Sequence, residues 1–131
     1  MYELKRGAAA LVACGLLLLT GCNSGEQIFD VAGTVTFEGK PIPKGLIFFD
    51  PDPTKGTEGG QGFANILDGK FNTAQEGVGI RGGAYLVRVN GFDGVEANEA
   101  PFGQPLFPEY NGTAELPAAN STYDLEIPRK P

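Results

Sequence analysis

The 131-residue chain contains no histidine, no tryptophan, one methionine and only two cysteines. Without histidine there is no Ser-His or Cys-His nucleophile pair, no imidazole general base, and none of the zinc or iron ligand sets that use imidazole, which are the commonest. Positive charge is also scarce, with 10 Lys and Arg against 16 Asp and Glu and a net charge of −6. Nucleic-acid binding needs a basic patch that displaces counterions from phosphates, and this composition cannot easily build one. Helical periodicity is missing throughout residues 28–131, where no ten-residue stretch repeats its apolar positions at 3.6. What the chain has in quantity is glycine, at 20 residues, and proline, at 10, which punctuate short apolar segments. Its length allows one domain.

The beginning of the chain reads as a processing signal. Lys5 and Arg6 precede an apolar run from Gly7 to Leu19. Thirteen residues at about 1.5 Å each span roughly 20 Å, short of the roughly 30 Å of a bilayer core, so the run fits an export signal and not a permanent membrane span. The sequence that follows, Leu19-Thr20-Gly21-Cys22, resembles a bacterial lipobox. The resemblance implies cleavage between Gly21 and Cys22 and acylation of Cys22, with diacylglyceryl and palmitate-type chains as the membrane anchor. Two or three chains hold a protein stably where one is marginal, because each buried methylene contributes about 0.8 kcal/mol. Residues 1–21 are then the lipoprotein signal peptide, and 22–27 form a lipidated polar tether. Cys14 is discarded with the signal. Its removal leaves no pair for a disulfide, and takes away one acid and two cations, so the mature chain carries a net −7. Asn23 stands where enteric bacteria use aspartate to retain lipoproteins in the inner membrane. The resemblance therefore favours the outer membrane over the inner, with the domain in the periplasm or at the cell surface.

Residues 28–131 read as all-β. Val31, Val35 and Phe37 alternate with Ala32, Thr34 and Thr36, and Glu38-Gly39-Lys40-Pro41 marks a turn. Leu46-Ile47-Phe48-Phe49 is a continuous apolar run stopped by Asp50-Pro51-Asp52-Pro53, which indicates a strand packed on both faces or one with an aromatic on its outer face. Gly62–Leu67 meets Lys70–Asn72 across Asp68-Gly69, a strong hairpin signal because both turn positions tolerate positive φ. Tyr85, Val87 and Val89 share one face of the next strand, opposite Leu86, Arg88 and Asn90. Tyr123, Leu125 and Ile127 point inward in the last. The connection from Gly91 to Asn120 is too long to be wholly irregular, and Thr113–Leu116 is its best edge strand. About seven short strands without a helix predict an antiparallel β-sandwich, with a core of Val35, Phe37, Phe48, Phe63, Phe71, Tyr85, Val87 and Leu125.

Val31–Gly45 followed by Ile47-Phe48-Phe49 and Pro51, then Asp68-Gly69-Lys70-Phe71, Gly82–Val89, Phe107–Asn111 and Asn120–Ile127, together resemble the carboxypeptidase regulatory-like, transthyretin-like domains of small planctomycete lipoproteins. The resemblance spans most of residues 28–131. It implies a seven-stranded prealbumin-like sandwich, often exported, with no catalytic residues. Ala97–Leu106 departs from the family pattern.

Candidate sites are few. Asp50, Asp52 and Glu58 surround a Gly-rich loop and supply the hard oxygens calcium prefers, but without the spacing of an EF-hand. Glu96, Glu99, Glu109 and Glu115 make a diffuse acidic face. Phe92, Phe102, Phe107 and Tyr110 cluster in the long connection, where rings can fill a partner's pocket or stack on sugars. Ser24 and Ser121 lack any histidine partner, and Asn111-Gly112-Thr113 and Asn120-Ser121-Thr122 read as turns despite matching a glycosylation sequon. No cofactor is expected. The function these features suggest is a non-enzymatic, lipid-anchored envelope protein that presents its domain to a protein partner, without nucleic acid. A carbohydrate- or calcium-binding module built on the acidic and aromatic loops is the alternative.

Overall fold

A computed structural model describes residues 27–129. The signal segment, Gly21, Cys22 and most of the tether lie outside the described residues. The strands are β1 (Val31–Phe37), β2 (Lys40–Pro41), β3 (Lys44–Pro51), β4 (Gly62–Leu67), β5 (Lys70–Asn72), β6 (Gly77–Val78), β7 (Gly83–Phe92), β8 (Tyr110–Leu116), β9 (Ser121–Thr122) and β10 (Leu125–Ile127). One 3₁₀ turn covers Pro53–Lys55, and no α-helix occurs among the described residues. Hydrogen bonding links the main strands in the order β10-β1-β5-β4-β3-β7-β8, with β2 and β9 added to β1 and β6 to β4. The result is an all-β sheet, about seven strands wide and largely antiparallel, curled into a half-barrel.

Alternation along each strand explains the curl. Ile47 and Phe49 of β3, Ala64 and Ile66 of β4, Tyr85, Val87 and Val89 of β7, and Val31 and Val35 of β1 are all at most 2% exposed and line one concave face. Phe49 sits at the centre. Its ring lies 6.1 Å from Phe71 of β5 and 6.1 Å from Tyr123, so the two limbs of the sheet close onto a shared core. They are joined directly at one register pair, Leu67 opposite Lys70. That hairpin turns on Asp68 (φ 51°) and Gly69 (φ 77°), as the Asp-Gly pair predicts. The Tyr85 hydroxyl, at the buried end of β7, accepts from the Arg81 and Gly82 amides at 3.1 and 3.2 Å and so pins the entry to the longest strand.

Three expectations change. Phe48 and Phe63 are not core residues. They pair across β3 and β4 on the convex face with rings 6.4 Å apart, because Ile47 and Phe49 occupy the inner positions of the same period-two strand. Phe37 and Leu125 pack against the core only in part, and Ile42, Ile80, Leu116 and Ile127 complete it. Finally, β9 and β10 run parallel to β1, not antiparallel. The chain leaving β8 crosses Pro117–Asn120 to the end of the domain where β1 begins, and the Ser121 amide donates to the Asp30 carbonyl at 3.0 Å. From there it can only follow β1. Between β9 and β10 the chain steps over Gly33, whose missing side chain leaves room for the Tyr123 backbone.

The face assignment has a direct test. Phe49→Ala is expected to lower stability by about 3–5 kcal/mol, the cost of emptying a buried aromatic site. Phe48→Ala on the convex face should cost clearly less. Urea melts of the two variants that gave equal losses would contradict the assignment.

Candidate functional site

The long connection between β7 and β8 is tied together by its own hydrogen bonds, and it builds two separate features. Residues 93–104 form a finger that continues β7 outward and doubles back. The Asp93 amide donates to the Gln104 carbonyl (3.0 Å) and the Gly94 amide to Phe102 (2.9 Å), while Asp93 Oδ1 accepts from the Val95 and Gln104 amides at 2.8 and 3.1 Å. Gly103, at φ 95°, passes so close to Asp93 that a side chain would collide with its carboxylate. Phe92 and Phe102 pack 5.7 Å apart at a tilt of 56° along the finger, and Glu96, just before the Ala97–Ala100 turn at its tip, reaches Lys44 at 3.5 Å.

Beyond the finger the chain enters a seam. The Leu106 amide bonds to the Gly91 carbonyl at 2.9 Å, which brings Phe107 over Gly91. Gly91 is buried, and a Cβ there would sit 2.8 Å from the Phe107 ring, so the glycine is what admits the aromatic. Phe107 then packs 4.9 Å from Phe37 at the end of β1. Tyr110 folds its ring back over Gly112 on β8. Together with Ile127, Glu38 and Arg129 these residues line a groove of about 510 Å³. The groove lies between the two ends of the curled sheet, β8 on one side and the end of β10 on the other. Its floor is aromatic and aliphatic. Its rims are charged, with Arg129 Nε 2.9 Å from Glu38 on one side and Glu109 on the other.

Glu109 connects the seam to the convex face. Its Oε2 accepts from Asn90 Nδ2 at 3.0 Å and lies 3.4 Å from Arg88 Nη1. Arg88 in turn donates Nε to Asp50 Oδ2 at 2.7 Å, and its guanidinium sits 4.6 Å from the centre of the Phe48 ring. The hydrogen bond from Arg88 holds the Asp50 carboxyl below its ordinary range, against partial burial, with a second hydrogen bond from Gln61 adding to it. Arg88 is correspondingly pushed up. This is a structural cluster that locks the outward aromatic between β3 and β7.

Four aromatics predicted to act together are therefore divided. Phe107 and Tyr110 share the seam, whereas Phe92 and Phe102 belong to the finger, beside a shallower hollow lined by Glu99–Pro105. The acidic loop residues also separate. Asp50 is held by Arg88, and Asp52 accepts from the Thr54 amide and hydroxyl at 2.9 and 2.6 Å, capping the 3₁₀ turn, which lowers its pKa. Glu58 is exposed in the loop. No three His, Cys, Asp or Glu side chains converge on a metal-sized site among the described residues. Phe37, Glu38, Ile127 and Arg129 were invisible as site residues in the sequence, since about seventy residues separate Phe37 from Phe107. Nothing local announces the pair. No protein-family model matches the chain, and no curated protein does either.

Asp50 makes stability depend on pH. Its pKa is lower in the folded chain than in the unfolded one, so its contribution is complete above the unfolded carboxylate value, about 4, and disappears as pH falls through the folded value. Acid denaturation of Asp50→Asn should therefore begin from a lower stability at pH 7 and show a shallower loss between about pH 5 and pH 2. Parallel slopes for the variant and the parent in thermal melts across that range would refute the linkage.

Proposed function

We propose that this chain is an exported, lipid-anchored protein of the bacterial cell envelope, held through acylated Cys22, whose β-domain binds a protein partner and carries out no catalysis. The observation that carries the reading is the ordered N-terminal pattern: Lys5-Arg6, an apolar run too short to span a bilayer, and Leu19-Thr20-Gly21-Cys22. Behind it the short tether leads directly into β1. In this reading the curled sheet is the transthyretin-like sandwich of the resembling family. That reading divides the one continuous sheet, at the Leu67–Lys70 pair, into layers β10-β1-β5 and β4-β3-β7-β8. The aromatic seam between its free edges is the surface offered to the partner. An envelope address, periplasmic or at the surface and on the outer rather than the inner membrane, follows from Asn23 after the acylated cysteine.

A carbohydrate-binding role is a second reading, favoured by the Phe92–Phe102 pair. Phe102 is 42% exposed beside a hollow, an arrangement on which a sugar ring can stack. The calcium version has less support, because Asp50 and Asp52 are already engaged by protein donors and do not converge with Glu58.

Anchoring is tested in cells by replacing the acylation site. Cys22→Ser should abolish incorporation of an alkyne-labelled fatty acid and move the chain from the membrane pellet to the soluble fraction. Unchanged labelling and sedimentation would rule out the lipoprotein assignment.

A further inference from the structure

We infer that β8 is an acceptor edge for an extended peptide in which apolar and cationic residues alternate, and that the peptide adds to the sheet as an eighth main strand along the seam. The inference deepens the partner-binding reading above and rests on it for the class of ligand.

Three independent observations support it. The first is the edge itself. β8 pairs with β7 over seven consecutive residues, from Tyr110 opposite Val89 to Leu116 opposite Gly83, without a bulge or a proline. Its other side has no strand, and no further backbone hydrogen bond is made by residues 110–116 among the described residues. Exposed edges normally carry protection in the form of proline, bulges, lysine or brevity. The opposite edge has it, since β10 is three residues long and ends at Pro128. β8 has only Glu115.

The second observation is the seam beside that edge. A strand added to β8 presents alternate side chains to the two faces of the sheet. Those on the concave side beside Tyr110, at the start of β8, enter the groove of about 510 Å³ floored by Phe37, Phe107, Tyr110 and Ile127, which has room for a bulky aliphatic or aromatic group, while those farther along lie beside Gly112 and Ala114. Those on the convex side lie against Asn111, Thr113 and Glu115, all exposed.

Charge is the third. From residue 89 to residue 128 the chain contains no Lys, Arg or His, yet it carries Asp93, Glu96, Glu99, Glu109, Glu115, Asp124 and Glu126. Glu109 and Glu115 bracket β8 at its two ends, Glu109 also facing Arg88 at 3.4 Å, and the cation on the groove rim, Arg129, is paired with Glu38 at 2.9 Å. Cross-strand pairs of opposite charge stabilise a sheet, and complementary potential speeds encounter and selects the partner. A cationic strand meets this edge favourably, whereas an acidic one is repelled. Backbone hydrogen bonds supply affinity in such additions, and the alternate pockets supply specificity.

The test uses the full-length chain in detergent micelles and a fluorescein-labelled peptide of about ten residues alternating Lys with Val or Phe, read by anisotropy at low salt. Two versions N-methylated on alternate residues block one backbone edge each, and a third replaces Lys with Glu. Binding of the parent peptide is expected, with loss for one N-methylated version, retention for the other, and loss for the Glu version. Glu115→Lys, at an exposed position, should weaken the parent peptide roughly five- to tenfold while leaving the thermal melt unchanged. Equal binding of both N-methylated peptides, or of the Glu peptide, would overturn the proposal, as would sedimentation showing a dimer that takes no peptide. Release from membranes by Cys22→Ser without any peptide binding refutes the acceptor edge and leaves the anchor intact. Peptide binding without acyl labelling does the reverse.

Discussion

Eight consecutive residue pairs hold β3 against β7, from Lys44 opposite Phe92 to Pro51 opposite Tyr85, and a slip of one place would turn Ile47 and Phe49 to water. Side-chain direction in a strand has period two, so this ladder decides both faces of the domain at once. On the concave side it stacks Ile47 and Phe49 with Tyr85, Val87 and Val89. On the convex side it sets Phe48 opposite Arg88, within reach of Asp50, and so aligns the charge cluster that continues to Glu109 and the seam. The apolar core and the polar outer cluster are two consequences of one register. The inner face has the larger energetic share, since burial of each large apolar side chain is worth about 1.5–3 kcal/mol and a partly exposed ion pair is worth about 0–1.

The curl that follows from this packing leaves an opening. Phe49 draws β5 and the Tyr123 segment over the β3–β7 layer, so the limbs meet at the centre while their outer edges stay apart. Phe107 fills part of the gap from the connection, resting on Phe37 and on the bare Cα of Gly91. The groove is what remains. Its position beside β8 is therefore a product of the core's geometry, while its charge is a product of composition, because the last third of the chain has almost no cations.

Local chemistry made some of this legible in the sequence. Asp68-Gly69 specifies its turn through positive φ at both residues, and the strand built on Tyr85, Val87 and Val89 follows from alternation alone. Leu46–Phe49 was ambiguous, because four apolar residues in a row hide which pair faces inward. The tie is broken only by neighbours distant in sequence, here Ala64 and Val87. The direction of β9 and β10 depends on where the chain crosses from β8, a path that Pro117–Asn120 does not encode locally. The seam was beyond reach for the same reason, since Phe37, Phe107 and Ile127 lie far apart along the chain. The connection from Gly91 to Asn120 was expected to be partly structured, and in the finger Asp93 is what structures it, supplying an internal acceptor to the Val95 and Gln104 amides in place of bonds that an irregular segment would give to water.

β1 is bonded along both flanks, to β5 on one side and to β9 and β10 on the other, with the second set running in its own direction. That arrangement has a mechanical meaning. A pull on the chain ahead of Asp30, directed along the strand, loads these ladders in shear, so that several hydrogen bonds must fail together instead of opening one at a time. Resistance to such a pull is set by the unfolding rate and not by equilibrium stability. β1 is thus the part of the sheet best arranged to bear tension applied from its N-terminal side.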